Sequence, residues 1–323
     1  MYDVVAVGEL LIDFTPNGSN DQGCALFARN PGGAPANVLA ANSRLGGKTA
    51  FIGKVGRDAF GDFLKVTLER IGICTDGLAV SETVNTTLAF VQLDERGDRS
   101  FSFYRKPGAD MMLEKSDISD GLIKNCRILH FGSVSLTDEP SRQATFYAVK
   151  LAKASGKIIS YDPNYRPLLW SSEEEAKREM LAALTLADIV KVSREELSLL
   201  TGDADLELGA KKLAQYGASL ILVSLGAKGA FYSSGETCGM LPAYDVKTVD
   251  TTGAGDAFLG AVHYRLRNKS LDDIKGLSGD ELEDIVSFAN AAGSLATTRK
   301  GAIPAMPSLE QVQACLREIP KLK

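Results

Sequence analysis

The sequence predicts an α/β fold in which a mostly parallel sheet carries helices on both faces. Two observations lead to this prediction. Short apolar runs alternate with longer amphipathic stretches through most of the 323 residues, and apolar residues within those stretches recur at three- and four-residue spacing. This alternation is typical of parallel sheets, because a helix returns the chain to the same edge after each strand. Such sheets bind ligands beyond the carboxyl ends of their strands.

Six apolar runs are predicted as buried strands and four amphipathic stretches as helices. The strands are expected at residues 4–7, 50–53, 128–131, 158–161, 189–192 and 220–223, and the helices at 58–71, 140–154, 173–187 and 206–216. A further helix is expected near residues 284–297. The acidic and polar segment before it, 270–283, is predicted to be a surface loop.

One part of the chain departs from this alternation. Residues 86–93 and 99–105 flank the polar turn 94–98 and predict a β-hairpin. The two-residue period places Phe101 and Phe103 on one face of it. Residues 13–30 also lack helical periodicity. Together these insertions predict a small β-structure, which either covers a site or forms an antiparallel edge without functional motion.

Composition argues against several classes of protein. Lys and Arg (36) and Asp and Glu (41) are mixed along the chain, and the net charge of −5 does not suggest a nucleic-acid partner. No apolar run is long enough to span a bilayer, and the N-terminal run lacks the basic start of a signal peptide. Five scattered cysteines without a C-x-x-C pair favour reduced thiols in a cytoplasmic protein. Two histidines, His130 and His263, are expected to be structural.

The strongest chemical signal lies in residues 249–260. Gly253, Ala254 and Gly255 directly precede a helical pattern. Small residues at a helix start present unpaired N–H groups in one direction, and the helix dipole adds positive potential there. This combination suits a transferring phosphoryl group. Asp256 falls in the first helical turn, where its carboxylate could take a proton from an attacking hydroxyl or could simply complement the helix N-terminus.

Two other glycine segments are weaker phosphate signals. Residues 46–49 end like a P-loop, but Asn42 stands where that motif needs a glycine, so a helix C-cap at Gly46 or Gly47 is predicted instead. The segment 224–229 could hold the phosphates or ribose of a nucleotide, or could be a plain hairpin loop.

Polar residues near the expected ligand edge suggest a polyol site. Gly32 and Gly33 allow close approach of the backbone, and the Asn37 side chain offers both a donor and an acceptor. Glycine-turn and helix-start chemistry is the alternative explanation. Asp13 follows the first strand, where its carboxylate could accept two sugar hydroxyls or could be solvated. Arg166 could bind phosphate or sugar hydroxyls, although the segment before it could instead be only a turn stabilised by Asp162 and Pro163.

In this order the segments resemble the ribokinase/PfkB family of sugar kinases, most closely its fructokinase members, over nearly the whole chain. One signature is 32–37, with Gly46 and Gly56 at the family's spacing and a departure at Leu39, where a small residue is usual. The other, 250–261, matches throughout.

The resemblance implies a single ribokinase-like domain over 1–323. It would have three α/β/α layers, a mostly parallel central sheet and a small β-sheet lid formed by insertions at about 13–30 and 84–107. The implied catalytic base is Asp256, with Gly253, Ala254 and Gly255 as the anion hole. The implied sugar ligands are Asp13, Gly32, Gly33, Asn37, Arg105 and Arg166. The implied nucleotide-binding residues are Ser193, Ser224, Gly226, Gly229 and Asn290.

The resemblance also implies metal sites. The family's N-x-x-E motif, linked to magnesium, is Ser193-Arg-Glu-Glu196 here, so Glu196 is expected to act on Mg²⁺ indirectly. Potassium would bind next to the anion hole, mostly through backbone carbonyls. Its expected ligands are Asp250, Thr252, Ala296, Arg299 and Gly301, while Ala305 replaces a residue that often offers a hydroxyl.

The function implied is ATP-dependent phosphorylation of D-fructose to fructose 6-phosphate. The alternatives are a 2-keto-3-deoxygluconate or other ketose kinase of the same family, and a non-catalytic sugar-binding regulatory protein. A dinucleotide-dependent dehydrogenase is disfavoured, because residues 8–13 do not supply G-x-G-x-x-G after the first strand. Phe101 and Phe103 could join two lids in a homodimer or cover the protein's own site.

Overall fold

The computed structural model describes residues 1–93 and 99–322. The predicted turn 94–98 and the side chain of Phe101 lie outside this part of the chain. The strands are β1 (Tyr2–Val7), β2 (Leu11–Ser19), β3 (Ala25–Gly32), β4 (Thr49–Gly56), β5 (Ile73–Ser81), β6 (Leu88–Leu93), β7 (Arg99–Tyr104), β8 (Cys126–Gly132), β9 (Ile158–Asp162), β10 (Ile189–Ser193), β11 (Leu220–Ser224), β12 (Ala230–Ser234) and β13 (Thr237–Leu241).

The helices are α1 (Ala34–Arg44), α2 (Ala59–Arg70), α3 (Asp120–Lys124), α4 (Ser141–Ala154), α5 (Glu173–Leu184), α6 (Arg194–Thr201), α7 (Leu206–Ala214), α8 (Ala254–Leu266), α9 (Leu271–Lys275), α10 (Gly279–Ala296) and α11 (Leu309–Glu318). In the described part of the chain, none of them is long and apolar enough to cross a membrane.

Nine strands form the central sheet in the order β13-β12-β11-β10-β9-β8-β1-β4-β5. Neighbours from β11 to β5 pair in parallel, and β12 and β13 add an antiparallel edge. All six runs predicted as buried strands lie in this sheet. The predicted α/β fold class is therefore confirmed.

Both faces of the sheet are covered, as the alternation predicted. Along β1, Val4 and Ala6 pack into a core formed with α1, α8 and α10, whereas Val5 and Val7 pack into a second core with α4 and α5. Successive side chains of a strand point to opposite faces, so each core fills one side of the sheet. The result is three layers.

The segment 270–283, predicted to be a loop, is mostly helical, so that prediction was wrong. It contains α9 and the start of α10. Ser270 and Asp273 form a capping box, and Ser278 and Glu281 form another. In each box the serine hydroxyl and the acidic side chain satisfy amide groups at the helix start. The acidic residues are therefore helix-start residues, and α10 begins before the predicted position.

A smaller sheet of four strands, in the order β3-β2-β6-β7, contains both predicted insertions. β6 and β7 pair antiparallel, which confirms the predicted hairpin. One aromatic cluster packs on this sheet, where Phe14 stacks on Phe90 with ring centroids 4.8 Å apart. Phe27 and Tyr104 extend the cluster and remain largely exposed. We call these four strands the small sheet.

Residues 46–49 follow the end of a helix and lead into β4; the C-cap is Leu45, one residue before the predicted Gly46 or Gly47. α1 ends at Arg44, and Gly46 follows with a left-handed φ of 100°. The Gly47 N–H donates to the Asn42 carbonyl oxygen at 3.0 Å. The Asn42 side chain donates to the Gly260 carbonyl oxygen at 3.2 Å. The end of α1 is therefore tied to α8.

Candidate active site

Two cavities meet at the start of α8. The first, of about 360 Å³, lies beyond the carboxyl ends of the parallel strands and is lined by Asp13, Gly33, Asn37, Arg166, Gly253, Gly255 and Asp256 among others. The second, of about 440 Å³, is lined by Ser224, Gly226, Gly229, Ala254, Gly255 and Asn290 among others. Gly255 lines both cavities. Most of the predicted sugar and nucleotide residues thus fall into two neighbouring groups, whereas Gly32, Arg105 and Ser193 line neither cavity.

The turn before α8 requires glycine for conformational and steric reasons. Gly253 caps the helix with a left-handed φ of 75°, which L side chains rarely adopt. A Cβ at Gly253 would lie 2.7 Å from the Ala302 Cβ, and a Cβ at Gly255 would lie 3.0 Å from the Lys191 Nζ. The first-turn amides of a helix have no acceptor within the helix. The start of α8 can therefore present backbone N–H groups between the two cavities.

Asp256 lies in the first turn of α8 and is 7% exposed. The Asn37 Nδ2 donates to its Oδ2 at 2.8 Å. Burial raises the pKa of Asp256 to about 6, against the opposing effect of the Lys191 ammonium. A carboxylate with this pKa is mostly ionised at neutral pH and can still accept a proton from a hydroxyl.

A buried ammonium lies beside Asp256. The Lys191 Nζ is 2.8 Å from the Asp162 Oδ2, and both side chains are nearly inaccessible to solvent. Burial alone would lower the pKa of Lys191, but the charges of Asp162, Glu196 and Asp256 outweigh it and raise that pKa. Lys191 is therefore a fixed positive charge at the edge of the first cavity.

Ser193 and Glu196 form the capping box of α6. The Glu196 Oε1 accepts from the Tyr165 N–H and its Oε2 from the Ser193 N–H, each at 2.7 Å. Burial, followed by the charge of Asp162, raises the pKa of Glu196. Neither Ser193 nor Glu196 is among the residues that line the two cavities. Both oxygens of this carboxylate are already engaged with backbone amides.

Asp13 and Gly33 lie on one wall of the first cavity, and Gly32 lies against the Asp13 side chain. Burial raises the pKa of Asp13 to about 6, against the charge of Arg166. A Cβ at Gly32 would overlap the Asp13 carboxylate, and a Cβ at Gly33 would overlap the Glu9 carbonyl oxygen. Gly33 lines the cavity, whereas Gly32 leaves the space that the Asp13 side chain occupies.

Arg105 lies behind the cavity wall and does not line it. Its guanidinium forms an ion pair with Asp110, Nε to Oδ2 at 2.8 Å, and is 3% exposed. It also donates to the Thr137 Oγ1 at 2.9 Å and to the Val134 carbonyl oxygen at 3.1 Å. Because Val134 lines the cavity, Arg105 holds that wall in place.

Residues 224–229 form a hairpin loop, which is one of the two alternatives, and Ser224, Gly226 and Gly229 line the second cavity. β11 and β12 pair antiparallel on either side of the loop. Gly229 has a left-handed φ of 84° beside the Leu241 carbonyl oxygen. The Asn290 Nδ2 donates to that same oxygen at 2.9 Å and to the Pro242 carbonyl oxygen at 3.2 Å. Asn290 therefore fixes the backbone that borders this cavity.

Three of the predicted potassium ligands lie together beside the α8 turn. The Asp250 Oδ1 accepts from the Thr252 N–H at 3.0 Å, and its Oδ2 accepts from the Gly301 N–H at 3.0 Å. These residues share a third cavity, of about 180 Å³, with Lys300. Ala296 ends α10, and Arg299 lies in the turn that follows it. Neither of these two is among the residues that line that cavity.

His130 and His263 are core residues, as expected. The Ser160 Oγ lies 3.2 Å from the His130 Nδ1 and 2.7 Å from the His263 Nε2. Burial lowers the pKa of His130 to about 3 and that of His263 well below its ordinary value. Within residues 1–93 and 99–322, no cluster of three or more His, Cys, Asp or Glu side chains could hold a metal ion.

Comparison with known proteins assigns the chain to a family. A model described as pfkB family carbohydrate kinase matches residues 1–309. The chain belongs to this family. This PfkB kinase is 44% identical to fructokinase-2 of Oryza sativa subsp. japonica over 313 residues, which cover 96% of this chain and 92% of the relative. It is therefore a carbohydrate kinase, similar to fructokinases over nearly its whole length.

Solved structures agree with this assignment. The fructokinase of Xylella fastidiosa with bound ATP matches this PfkB kinase with a TM-score of 0.92 at 36% identity, over 98% of this chain and 99% of that one. The fructokinase of Vibrio cholerae O395, solved with fructose, ADP and calcium ion, matches with a TM-score of 0.87 at 39% identity, over 97% and 98%. A double mutant of the latter, solved with fructose, ADP and potassium ion, matches equally well.

Sequence reasoning assigned no role to two charged residues of this kinase that line the first cavity, Glu9 and Lys191. Glu9 follows β1, and its Oε1 accepts from the Ala34 N–H at 2.8 Å, while burial raises its pKa to about 7. The position of Glu9 shortly after a predicted strand was the signal in the sequence that could have indicated a place in the cavity. Lys191 lies inside a run that was predicted only as a buried strand. A lysine there was the signal, because lysine is almost never fully buried unless it is paired.

Proposed function

We propose that this PfkB kinase transfers the γ-phosphoryl group of ATP to the 6-hydroxyl of D-fructose. One observation carries the proposal: the Asp256 carboxylate lies at the start of α8, where the two cavities meet, and is held by Asn37. Fructokinases solved with fructose and ADP support fructose as the acceptor and ATP as the donor.

In the proposed reaction Asp256 accepts the proton of the attacking sugar hydroxyl. The new bond forms between the sugar oxygen and the γ-phosphorus, while the bond from that phosphorus to the bridging oxygen of ADP breaks. ADP leaves with that electron pair. Backbone N–H groups of Gly253, Ala254 and Gly255 stabilise the charge on the phosphoryl oxygens. Catalysis rests on position and electrostatics, because little covalent chemistry is left to the protein.

The first cavity is proposed to hold the sugar. Carboxylate, amide and guanidinium groups are suited to polyol hydroxyls, and Asp13, Asn37 and Arg166 supply them there. Gly33 lets the sugar approach the backbone. Arg105 is proposed to act through Val134 rather than by touching the sugar, since all three of its guanidinium nitrogens already donate a hydrogen bond within the protein and it does not line the cavity. In that case an Arg105→Lys variant should raise KM for the sugar through a shifted wall.

The second cavity is proposed to hold the nucleotide. Its lining combines glycine backbone with the apolar side chains of Tyr244, Val246 and Phe258, which fits a base and ribose. Ser224, Gly226 and Gly229 would border the ribose and phosphates, and Asn290 would keep the border of the base site in place. An Asn290→Leu variant should raise KM for ATP and leave KM for the sugar unchanged.

Magnesium fits this site as an ion held by the phosphates of the nucleotide. The nearby carboxylates, Asp162 and Glu196, already accept hydrogen bonds on both oxygens. They are therefore suited to contact Mg²⁺ through water molecules rather than directly. Bound Mg²⁺ would neutralise charge on the phosphates. Potassium is proposed beside Asp250, Thr252 and Gly301, with carbonyl oxygens from Ala296 and Arg299. Loss of turnover without potassium would support that assignment.

The small sheet is proposed to act as a lid over the sugar cavity, because Asp13 on β2 and Phe103 on β7 both line that cavity. Its exposed aromatic residues, Phe27 and Tyr104, could also join two copies of the chain. Light scattering on the wild type and on a Phe27→Ser/Tyr104→Ser variant would test the homodimer. The five free cysteines support a reducing, cytoplasmic location, which fluorescence microscopy of a tagged chain would test.

A coupled ADP-release assay with Mg-ATP, with and without potassium, tests the function. The acceptors are fructose, 2-keto-3-deoxygluconate and other ketoses. Asp256→Asn should lower kcat by roughly 10²–10⁴, the usual scale for a general base. Asp188→Asn is the matched control, because Asp188 is equally buried at 7% exposure and lies outside the cavities.

The outcomes of this assay separate the candidate functions. Faster turnover of an acidic sugar than of fructose would keep the mechanism and replace the acceptor. Sugar binding without turnover would favour a regulatory protein. Near-normal kcat in a folded Asp256→Asn variant would refute Asp256 as the base.

A further inference from the structure

Lys191 is a charged side chain in an otherwise apolar central strand. Its neighbours on β10, Val190 and Val192, are fully buried. Lys191 itself is 7% exposed, and it lines the sugar cavity. Burying an ammonium is costly unless it is paired, and the Asp162 carboxylate 2.8 Å away supplies the pairing. An ion pair of this kind contributes little net stability compared with apolar residues, so stability alone does not account for it.

The position of the ammonium links it to the start of α8. A Cβ at Gly255 would lie 3.0 Å from the Nζ and 3.4 Å from the Cε of Lys191. The absence of a side chain at Gly255 therefore lets the lysine reach the turn that borders both cavities. An oxyanion that accepts the Gly255 N–H would lie next to this ammonium. The carboxylates of Glu9, Asp13 and Asp256 around the same cavity would otherwise repel an incoming phosphoryl group.

We infer that Lys191 is a further catalytic residue, whose ammonium contacts the transferring phosphoryl group beside the α8 amides and keeps Asp256 ionised. This inference rests on the phosphoryl transfer proposed above. Lys191 keeps its proton throughout: the hydroxyl proton goes to Asp256, and the electron pair of the broken bond leaves with ADP. Lys191 therefore supplies charge and no proton.

Two separate effects follow from the loss of this charge. The phosphoryl oxygens would lose one donor, and removal of one such donor typically lowers kcat by about 10²–10³. The pKa of Asp256 would also rise, because Lys191 is the main charge that opposes the effect of burial. Activity needs ionised Asp256 and falls as the pH drops through its pKa, so the acid limb should move to higher pH. The charged or titratable groups that face Lys191 or Asp256 are Asp162 on β9, Glu196 on α6, His130 on β8 and Arg166 after β9.

The experiment compares four variants with the wild type. Lys191→Met removes the charge, Lys191→Arg keeps it, and Lys191→Met/Asp162→Asn removes the whole ion pair without leaving a buried carboxylate unpaired. Lys54→Met is the control, because Lys54 forms a partly buried ion pair with Asp117, Nζ to Oδ2 at 2.8 Å, outside the sugar and nucleotide cavities. For each protein, thermal unfolding, KM for sugar and ATP, and kcat between pH 5 and 9 would be measured.

We expect Lys191→Met and the double variant to lose kcat by about 10²–10³. The acid limb should move to higher pH in Lys191→Met and should move less in the double variant, because the Asp162 charge itself raises the pKa of Asp256. Lys191→Arg should recover part of kcat, and Lys54→Met should behave like the wild type. Wild-type kcat in the double variant would show that the ion pair is only structural and would overturn the inference. An acid limb that does not move in Lys191→Met would overturn the proposed effect on Asp256. If the wild type phosphorylates no sugar, the proposed function itself fails.

Discussion

The hydrogen bond from Asn37 to Asp256 leads to a quantitative prediction about pH dependence. Asn37→Leu keeps the side-chain volume and removes the donor that lies 2.8 Å from the Asp256 Oδ2. A hydrogen bond to a charged group contributes about 1.5–3 kcal/mol, and about 1.4 kcal/mol corresponds to a change of one in pKa. From a wild-type pKa of about 6, the variant should therefore reach roughly 7–8.

The direction of the change follows from the proposed role of Asp256 as the base. In that mechanism ionised Asp256 accepts the proton, so activity is present above its pKa and is lost as the pH falls through it. At pH 7 the ionised fraction should drop from about nine-tenths to between roughly one-half and one-tenth. The kcat of the variant at pH 7 should then be roughly two- to tenfold below its own value at high pH.

The assay is kcat at saturating sugar and ATP between pH 5 and 9. Asn42→Leu is the matched control, because Asn42 is a buried asparagine of the same helix that also bonds to α8, at the Gly260 carbonyl oxygen. An acid limb that does not move in Asn37→Leu would refute the reasoning, and so would an equal movement in Asn42→Leu.

Two further predictions concern the start of α8. Gly253→Ala should lower kcat by at least about tenfold, because misplaced catalytic groups are costly and the new Cβ would press on Ala302, 2.7 Å away. Gly202→Ala is the control, because Gly202 has a similar φ of 70° but open space around it. This variant should lose about 1–2 kcal/mol of stability without loss of kcat. Equal effects in both variants would contradict this explanation. Asp256→Asn should raise the free energy of unfolding by up to about 3 kcal/mol at pH 8. The reason is that the pKa of Asp256 in the folded protein, about 6, lies above its ordinary value of 3.8. The ionised carboxylate therefore destabilises the folded state. This gain in stability should shrink as the pH falls from 6 towards 4, and urea unfolding at pH 8 and pH 5 measures it. A gain in stability that does not depend on pH would point to another cause.

The local parts of this fold were predictable because they depend on neighbouring residues. Apolar runs such as 189–192 need only their own composition to indicate a buried strand. The segment 270–283 was predicted to be a loop because its acidic composition was weighed as a whole. Its two capping boxes depend on spacing, with Ser270 and Ser278 each three residues before an acidic side chain.

The candidate site depends on contacts between distant residues, which limits what a sequence can indicate. The start of α8 was predictable because its glycines and Asp256 lie within one short segment. Lys191 was missed because its partner Asp162 is 29 residues away along the chain. Arg105 follows the hairpin, as a sugar ligand would, yet its guanidinium turns towards Asp110, only five residues later. The direction of a side chain is set by packing, and packing is not encoded in local spacing.

The hydrogen bond between Asn37 and Asp256 also bears on how the enzyme folds. It joins residues 219 positions apart, and α1 approaches α8 closely enough that a Cβ at Gly260 would overlap the Val38 carbonyl oxygen. Contacts of such long range form slowly, because closing the long intervening loop costs entropy before the contact can stabilise the fold. A nascent chain that has not yet emerged as far as α8 therefore carries the proposed sugar ligands Asp13, Asn37 and Arg166 but lacks the proposed base Asp256. During refolding, the return of turnover should report the docking of these two helices rather than the earlier growth of secondary structure.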